Sequence, residues 1–138
     1  MFTPERRSQL RKELLERAAS DPRIVSAAIT GSAAAGREDE WSDIDLAFGV
    51  REGVEVGSVL PEWSAVMKER YAAVHHVDVR AGEWTYRVFF LNDTLQVDLA
   101  FVPVSHFRPL TPAFQLVFGE AKEAEISSPR AEDRRSST

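Results

Sequence analysis

The stretch GSAAAGREDEWSDIDLAF, Gly31 to Phe48, ends in an apolar strand that opens with two acids, ten residues after a Gly-Ser pair. In an extended chain alternate side chains share a face about 6.6 Å apart, so Asp43, Asp45 and Ala47 point one way while Ile44, Leu46 and Phe48 point the other. The later run from Leu95 to Val102 repeats the arrangement, with Val97, Leu99 and Phe101 on one side and Gln96, Asp98 and Ala100 on the other. Each strand thus offers an apolar side to helices and an acidic side with small neighbours. If the two lie side by side, three carboxylates converge.

Clustered carboxylates repel one another, and cations are the usual means of neutralising them. With oxygen donors only, the site suits Mg2+ or Mn2+, ions that keep several waters and take further ligands from substrate phosphates. Gly31 and Ser32 supply the complement: a glycine admits close backbone approach, a serine hydroxyl donates a hydrogen bond, and free N–H groups at a helix start favour an anion. Together these features point to the outer phosphates of a nucleoside triphosphate and to two-metal in-line attack on its α-phosphorus.

Outward from this stretch the chain reads as one α/β domain over residues 1–120. Thr3-Pro4 caps a helix that carries Leu10, Leu14, Leu15, Ala18 and Ala19 until Asp21-Pro22 stops it. Ile24 to Thr30 is a first strand and Asp43 to Val50 a second. Pro61 to Val74 places Trp63, Val66, Met67, Tyr71 and Val74 on one helical face, with Trp63 and Met67 as core, and crosses over to a third strand, His75 to Arg80. Trp84 to Leu91 and Leu95 to Val102 form a hairpin around Asn92-Asp93. With those two as the turn residues, Arg87 stands across from Asp98. Thr111-Pro112 is expected to cap a short helix ending at Gly119. The sum is a mixed sheet of about five strands, with helices on one face and the acids on the open face. Residues 121–138 form a polar tail, expected to be mobile.

Composition narrows the function. The 138 residues are 43% hydrophobic and 28% charged, ordinary for a folded domain, and the formal net charge of −5 argues against a general nucleic-acid binder. The absence of cysteine excludes disulfides, thiolate catalysis and Cys-ligated zinc. Neither an apolar leader nor a run of about 20 apolar residues is present, so no membrane association and a cytoplasmic location are expected.

At these residues the sequence resembles the nucleotidyltransferase superfamily that includes polymerase beta and the aminoglycoside nucleotidyltransferases. The shared pattern is Gly-Ser, a spacer, Asp-x-Asp in an apolar strand, and a third acid on a later strand, here Gly31, Ser32, Asp43, Asp45 and Asp98. The resemblance spans about residues 24 to 102. It implies two Mg2+ ions held by Asp43, Asp45 and Asp98, and a nucleoside triphosphate donor, most often ATP. It also implies transfer of a nucleoside monophosphate to a hydroxyl. A small antibiotic-like molecule is the leading acceptor. A protein acceptor in an antitoxin-like pair, or a nucleotide-binding module without turnover, is the alternative. A homodimer or a helical partner protein is compatible with either. Two departures stand out. Ala35 precedes Gly36 where many relatives carry arginine, which leaves Arg37 as the replacement phosphate contact, and antibiotic-modifying relatives usually carry a helical acceptor-binding domain beyond the position of Phe118-Gly119, so the acceptor site is expected to be incomplete here, supplied by another subunit or located on a partner protein.

Other residues have simpler readings. His75 and His76 are adjacent on a strand and so point to opposite faces, which argues against a metal pair. His106 lies beyond the last strand in a loop or cap position. Glu38, Asp39 and Glu40 read as a solvated loop. Asp78 competes with Asp98 for the third ligand position but ranks second, because LQVDLAFV better matches the family's third-acid strand.

Overall fold

The computed structural model describes residues 1–124, so most of the expected polar tail lies outside the described residues. Helix α1 (Pro4–Ser20) leads into β1 (Ile24–Thr30), and a single turn, α2 (Gly31–Ala34), precedes β2 (Ile44–Val50). Helix α3 (Val56–Tyr71) then leads to β3 (Ala73–Ala81), β4 (Trp84–Leu91), β5 (Gln96–Pro103) and β6 (Phe114–Phe118). Thr3 caps α1 as its sequence suggests, its Oγ1 accepting a hydrogen bond from the Arg6 N–H at 3.1 Å.

The six strands form one sheet in the order β3-β4-β5-β2-β1-β6. β2 and β5 are parallel neighbours, while every other adjacent pair is antiparallel. Helices α1 and α3 lie on one face. Leu10 and Leu14 of α1 and Trp63 and Met67 of α3 pack on Ile44, Leu46, Phe48, Val97, Leu99 and Phe101, the apolar alternates of β2 and β5. Phe48 meets Trp63 at 5.1 Å and Phe101 at 5.4 Å between ring centroids. Burying each such side chain stabilises the fold by about 1.5–3 kcal/mol.

A smaller cluster on the other face joins Ala28, Ala47, Trp84, Ala100 and Val102 to Phe107. The C-terminal segment is tied down there: the Glu120 N–H donates to Ser26 Oγ at 3.2 Å, and the Lys122 N–H to the Phe107 carbonyl at 2.8 Å.

Three local readings are corrected. The segment Phe114–Phe118, expected as helix, is an edge strand antiparallel to β1, with Ala28 opposite Leu116 and Thr30 opposite Phe114. Its two phenylalanines and Val117 suit a strand, and β1 would otherwise expose its hydrogen-bonding edge. Helix α3 runs from Val56 to Tyr71 rather than from Pro61 to Val74: Pro61 sits exposed inside it, left-handed Ala72 at φ 62° ends it, and Val74 is an exposed residue of β3 instead of part of the helical face. The hairpin between β4 and β5 turns over three residues, with Thr94 left-handed at φ 73°, so Val88, not Arg87, faces Asp98. A one-residue slip moves a side chain to the other face of the sheet.

Candidate active site

Pairing directions bring the functional residues to one end of the sheet. β1 runs antiparallel to β2, with Ile29 opposite Leu46, so the end of β1 and the Gly31-Ser32 turn meet the start of β2. β5 runs parallel to β2 with Asp45 directly beside Asp98, so the start of β5 reaches the same end. Asp43, just ahead of β2, completes the group.

Burial and mutual repulsion shape its electrostatics. Asp45 is pushed up to about 7, first by burial, then by the charge and carboxyl contact of Asp98, then by the charge of Asp43, with Arg11 acting in the opposite sense. Asp43 is also raised, by burial and then by Asp98. The Gln96 amide donates to Asp98 Oδ1 at 3.0 Å, so the orienting partner of Asp98 is its neighbour on the same strand rather than Arg87.

Gly31 is fixed by the acids it approaches. Its φ is 68°, and a Cβ there would lie 2.8 Å from Asp45 Cγ, so a side chain is excluded by both backbone conformation and space. Ser32 follows in the single turn of α2, whose first N–H groups have no partner within the turn. Arg37 is exposed; its backbone N–H donates to the Ser32 carbonyl at 2.9 Å, which closes the loop back onto α2.

The donor set fits a hard divalent cation: three carboxylates with oxygen donors only, whose repulsion a cation would relieve. Among the described residues no three acidic or histidine groups stand at the spacing of a ready-made metal site. Mg2+ makes little use of all-protein cages, filling its shell with water and substrate phosphate around one or two carboxylates.

Arg7 escaped the sequence reading. Only 4% exposed, it donates from Nη1 to the carbonyls of Asp39 at 2.7 Å and Ser42 at 3.0 Å, while its Nε lies 3.2 Å from Glu38 Oε2. Glu38 also pairs with Arg11, so it is an anchor for α1 rather than part of a solvated loop. Asp39 Oδ1 accepts from the Trp41 N–H at 2.9 Å and the Ser42 hydroxyl at 3.1 Å. The loop is therefore held immediately before Asp43. A signal was present in Arg7 and Arg11, four residues apart on one helical face, but their partners lie 27 to 35 residues away.

Asp78 belongs elsewhere. It sits across from Arg87, which binds both its carboxylate oxygens at 2.6 Å and donates to Ser64 Oγ of α3 at 2.8 Å. That pair lies on the helix face, opposite the acids. His75 and His76 point to opposite faces, one ring stacked with Phe90 and the other against Phe89. His106 lies in a short 3-10 turn after β5, its carbonyl accepting from Arg108 at 3.0 Å.

Comparison with curated proteins gives no match. Among solved structures, an aminoglycoside 6-adenyltransferase from Bacillus subtilis is similar to this chain with a TM-score of 0.54 at 16% identity. The match covers 77% of this chain but 37% of that one, so this chain spans little more than a third of that enzyme's length. The likeness establishes a shared fold for a chain with this arrangement of acids. No helix among the described residues is long and apolar enough to cross a membrane. The nucleotidyltransferase domain model matches residues 7–118, from the arginine that holds the loop before Asp43 to the end of β6, and the chain accordingly belongs to the nucleotidyltransferase domain family.

Proposed function

We propose that this nucleotidyltransferase domain transfers adenylate from ATP to a hydroxyl of a small-molecule acceptor, with Mg2+ held by Asp43, Asp45 and Asp98. The observation that carries the reading is the placement of Asp45 beside Asp98 on parallel strands, with Asp43 close enough to raise the pKa of Asp45. When bound, the cations would polarise the α-phosphate, activate the acceptor oxygen and stabilise the leaving pyrophosphate. The chain's own part is to hold the carboxylates in place. Gln96 orients Asp98, Arg7 fixes the loop before Asp43, and Gly31 leaves room for Asp45. Gly31 and Ser32 stand on the β1 side of the acids, where they would receive the outer phosphates, with exposed Arg37 in the same loop as a further phosphate contact.

Support for the small-molecule acceptor comes from the adenyltransferase neighbour, and adenylate is the group named for that enzyme. The test is a screen of hydroxyl-bearing acceptors with the purified chain, Mg2+ and isotope-labelled ATP, read as a mass shift of one adenylate on the product. Label carried only onto protein would reassign the acceptor. Release of no pyrophosphate with any acceptor, alongside tight MgATP binding, would leave a nucleotide-binding module.

A further inference from the structure

β3 is an edge of the sheet, nine residues long, and its hydrogen-bonding edge away from β4 has no strand beside it among the described residues. Edge strands are normally short, covered or heavily charged. This one is neither short nor covered, and beside exposed His75, His76, Asp78 and Arg80 it exposes Val74 by 70%, Val77 by 43% and Val79 by 51%. Val77 and Val79 lie on the same face as the acids, opposite Val88 and Tyr86 of β4.

We infer that β3 pairs antiparallel with β3 of a second copy of this chain, extending the sheet across a twofold axis at Val77. Such an axis runs perpendicular to the sheet and keeps each face on its own side, so paired residue numbers must sum to an even value. Three symmetric registers centre on the middle of the strand. Centring on His76 sets it against its own copy. Centring on Asp78 sets that carboxylate against its copy and His76 against Arg80 twice. Centring on Val77 sets each His76 against Asp78 of the other copy, His75 against Val79 and Arg80 against Val74. Only this register opposes an imidazole to a carboxylate and creates no like-charge pair. Arg87 already holds Asp78 on the helix face, where the partner's His76 would stand.

The register also links the interface to the acids. Asp45, Asp98, Val88 and Val77 are consecutive cross-strand neighbours, so the row that carries the acids ends on the twofold axis. Both acid clusters then open on the same side of a continuous sheet, with Asp98 and its copy five strand spacings, or about 24 Å, apart. Val77 and Val88 of each copy form an apolar strip between them. The inference concerns association alone and stands whether or not the domain transfers adenylate.

Sedimentation velocity on the full chain over a range of concentrations tests it. The parent is expected to sediment as a dimer. Val77→Lys and His76→Asp are each expected to give monomers that remain folded by circular dichroism, because both positions are exposed, and that lack the rise of melting temperature with protein concentration expected of the dimeric parent. Leu116→Lys, on the opposite edge strand β6, is expected to remain dimeric. Mixing His76→Asp with Asp78→Lys is expected to restore a dimer, since one carboxylate then meets a lysine and the other an imidazole. A monomeric parent, a dimeric Val77→Lys, or a monomeric Leu116→Lys would overturn the interface. Failure of two folded complementary variants to pair would overturn the register.

Discussion

Asp45 and Asp98 stand side by side on parallel strands β2 and β5, two carboxylates on one face with no arginine across from either in the β-ladder. Burial and that adjacency together raise the pKa of Asp45 to about 7.

Without metal, Asp45→Asn is expected to raise the melting temperature of the domain by several degrees, since about 1 kcal/mol shifts the midpoint by about 4 °C at this size. In the parent, Asp45 is raised from 3.8 to about 7, so the folded state binds a proton more readily than the unfolded chain. The resulting penalty is absent below about pH 4, grows as pH rises toward 7 and is fully present above it. Metal-free parent protein should therefore gain stability from this group between pH 7 and pH 5, whereas Asp45→Asn should not. Thermal melts in chelator across that range check it. A variant that melts lower than the parent at pH 7.5 would show Asp45 to be a structural cap.

Asp43→Asn, Asp45→Asn and Asp98→Asn are each expected to abolish metal-dependent nucleotide binding while leaving the fold intact. Calorimetric titration of MgATP reads the outcome, with circular dichroism as the control for folding. Retained affinity in all three would move the metal site elsewhere.

Gly31→Ala is expected to displace Asp45, because the new Cβ would meet that carboxyl group and the backbone would remain left-handed. The strain amounts to about 1–3 kcal/mol, and a misplacement near 1 Å costs on the order of 100-fold in turnover. Melting temperature and steady-state turnover measure the two effects separately.

Arg7→Met is expected to destabilise the domain by about 3 kcal/mol, because it removes a buried cation that bridges two carbonyls and Glu38. Arg7→Lys should retain much of the stability yet weaken Mg2+ use, since an ammonium cannot reproduce the guanidinium's planar fork. Denaturant titration gives the first quantity and the Mg2+ concentration for half-maximal rate the second. If Arg7→Lys keeps the parent's Mg2+ dependence, Arg7 serves folding alone.

Asp78→Asn and Arg87→Ala are expected to leave metal-dependent binding unchanged, because their ion pair lies on the helix face. Hydrogen bonds from Arg87 hold Asp78 below its ordinary value against the opposing effect of burial. Its contribution is therefore present above about pH 4 and lost as pH falls through the lowered folded value. The Asp78 side chain is 42% exposed, so that contribution is about 1 kcal/mol or less. Acid titration of the melting temperature for parent and Asp78→Asn reads it.

The sequence by itself determined which side of β2 and β5 carries acid and which carries core, because alternation along a strand is a local property with period two. Asp43, Asp45 and Asp98 were legible for that reason, as were the cap of α1 and the division of His75 and His76 between faces. Tertiary structure decided the rest. The partner of Arg87 depended on Thr94 taking a left-handed conformation, which lengthened the turn by one residue and sent Arg87 to the helix face with Asp78. Phe114–Phe118 became a strand because β1 had an open edge to satisfy, a condition not visible within those five residues. Arg7 acquired its role from carbonyls more than thirty residues away, which carry no side-chain signature in the sequence. Periodicity fixes the face a side chain takes, whereas register, edge pairing and contacts to backbone carbonyls exist only once distant segments have met.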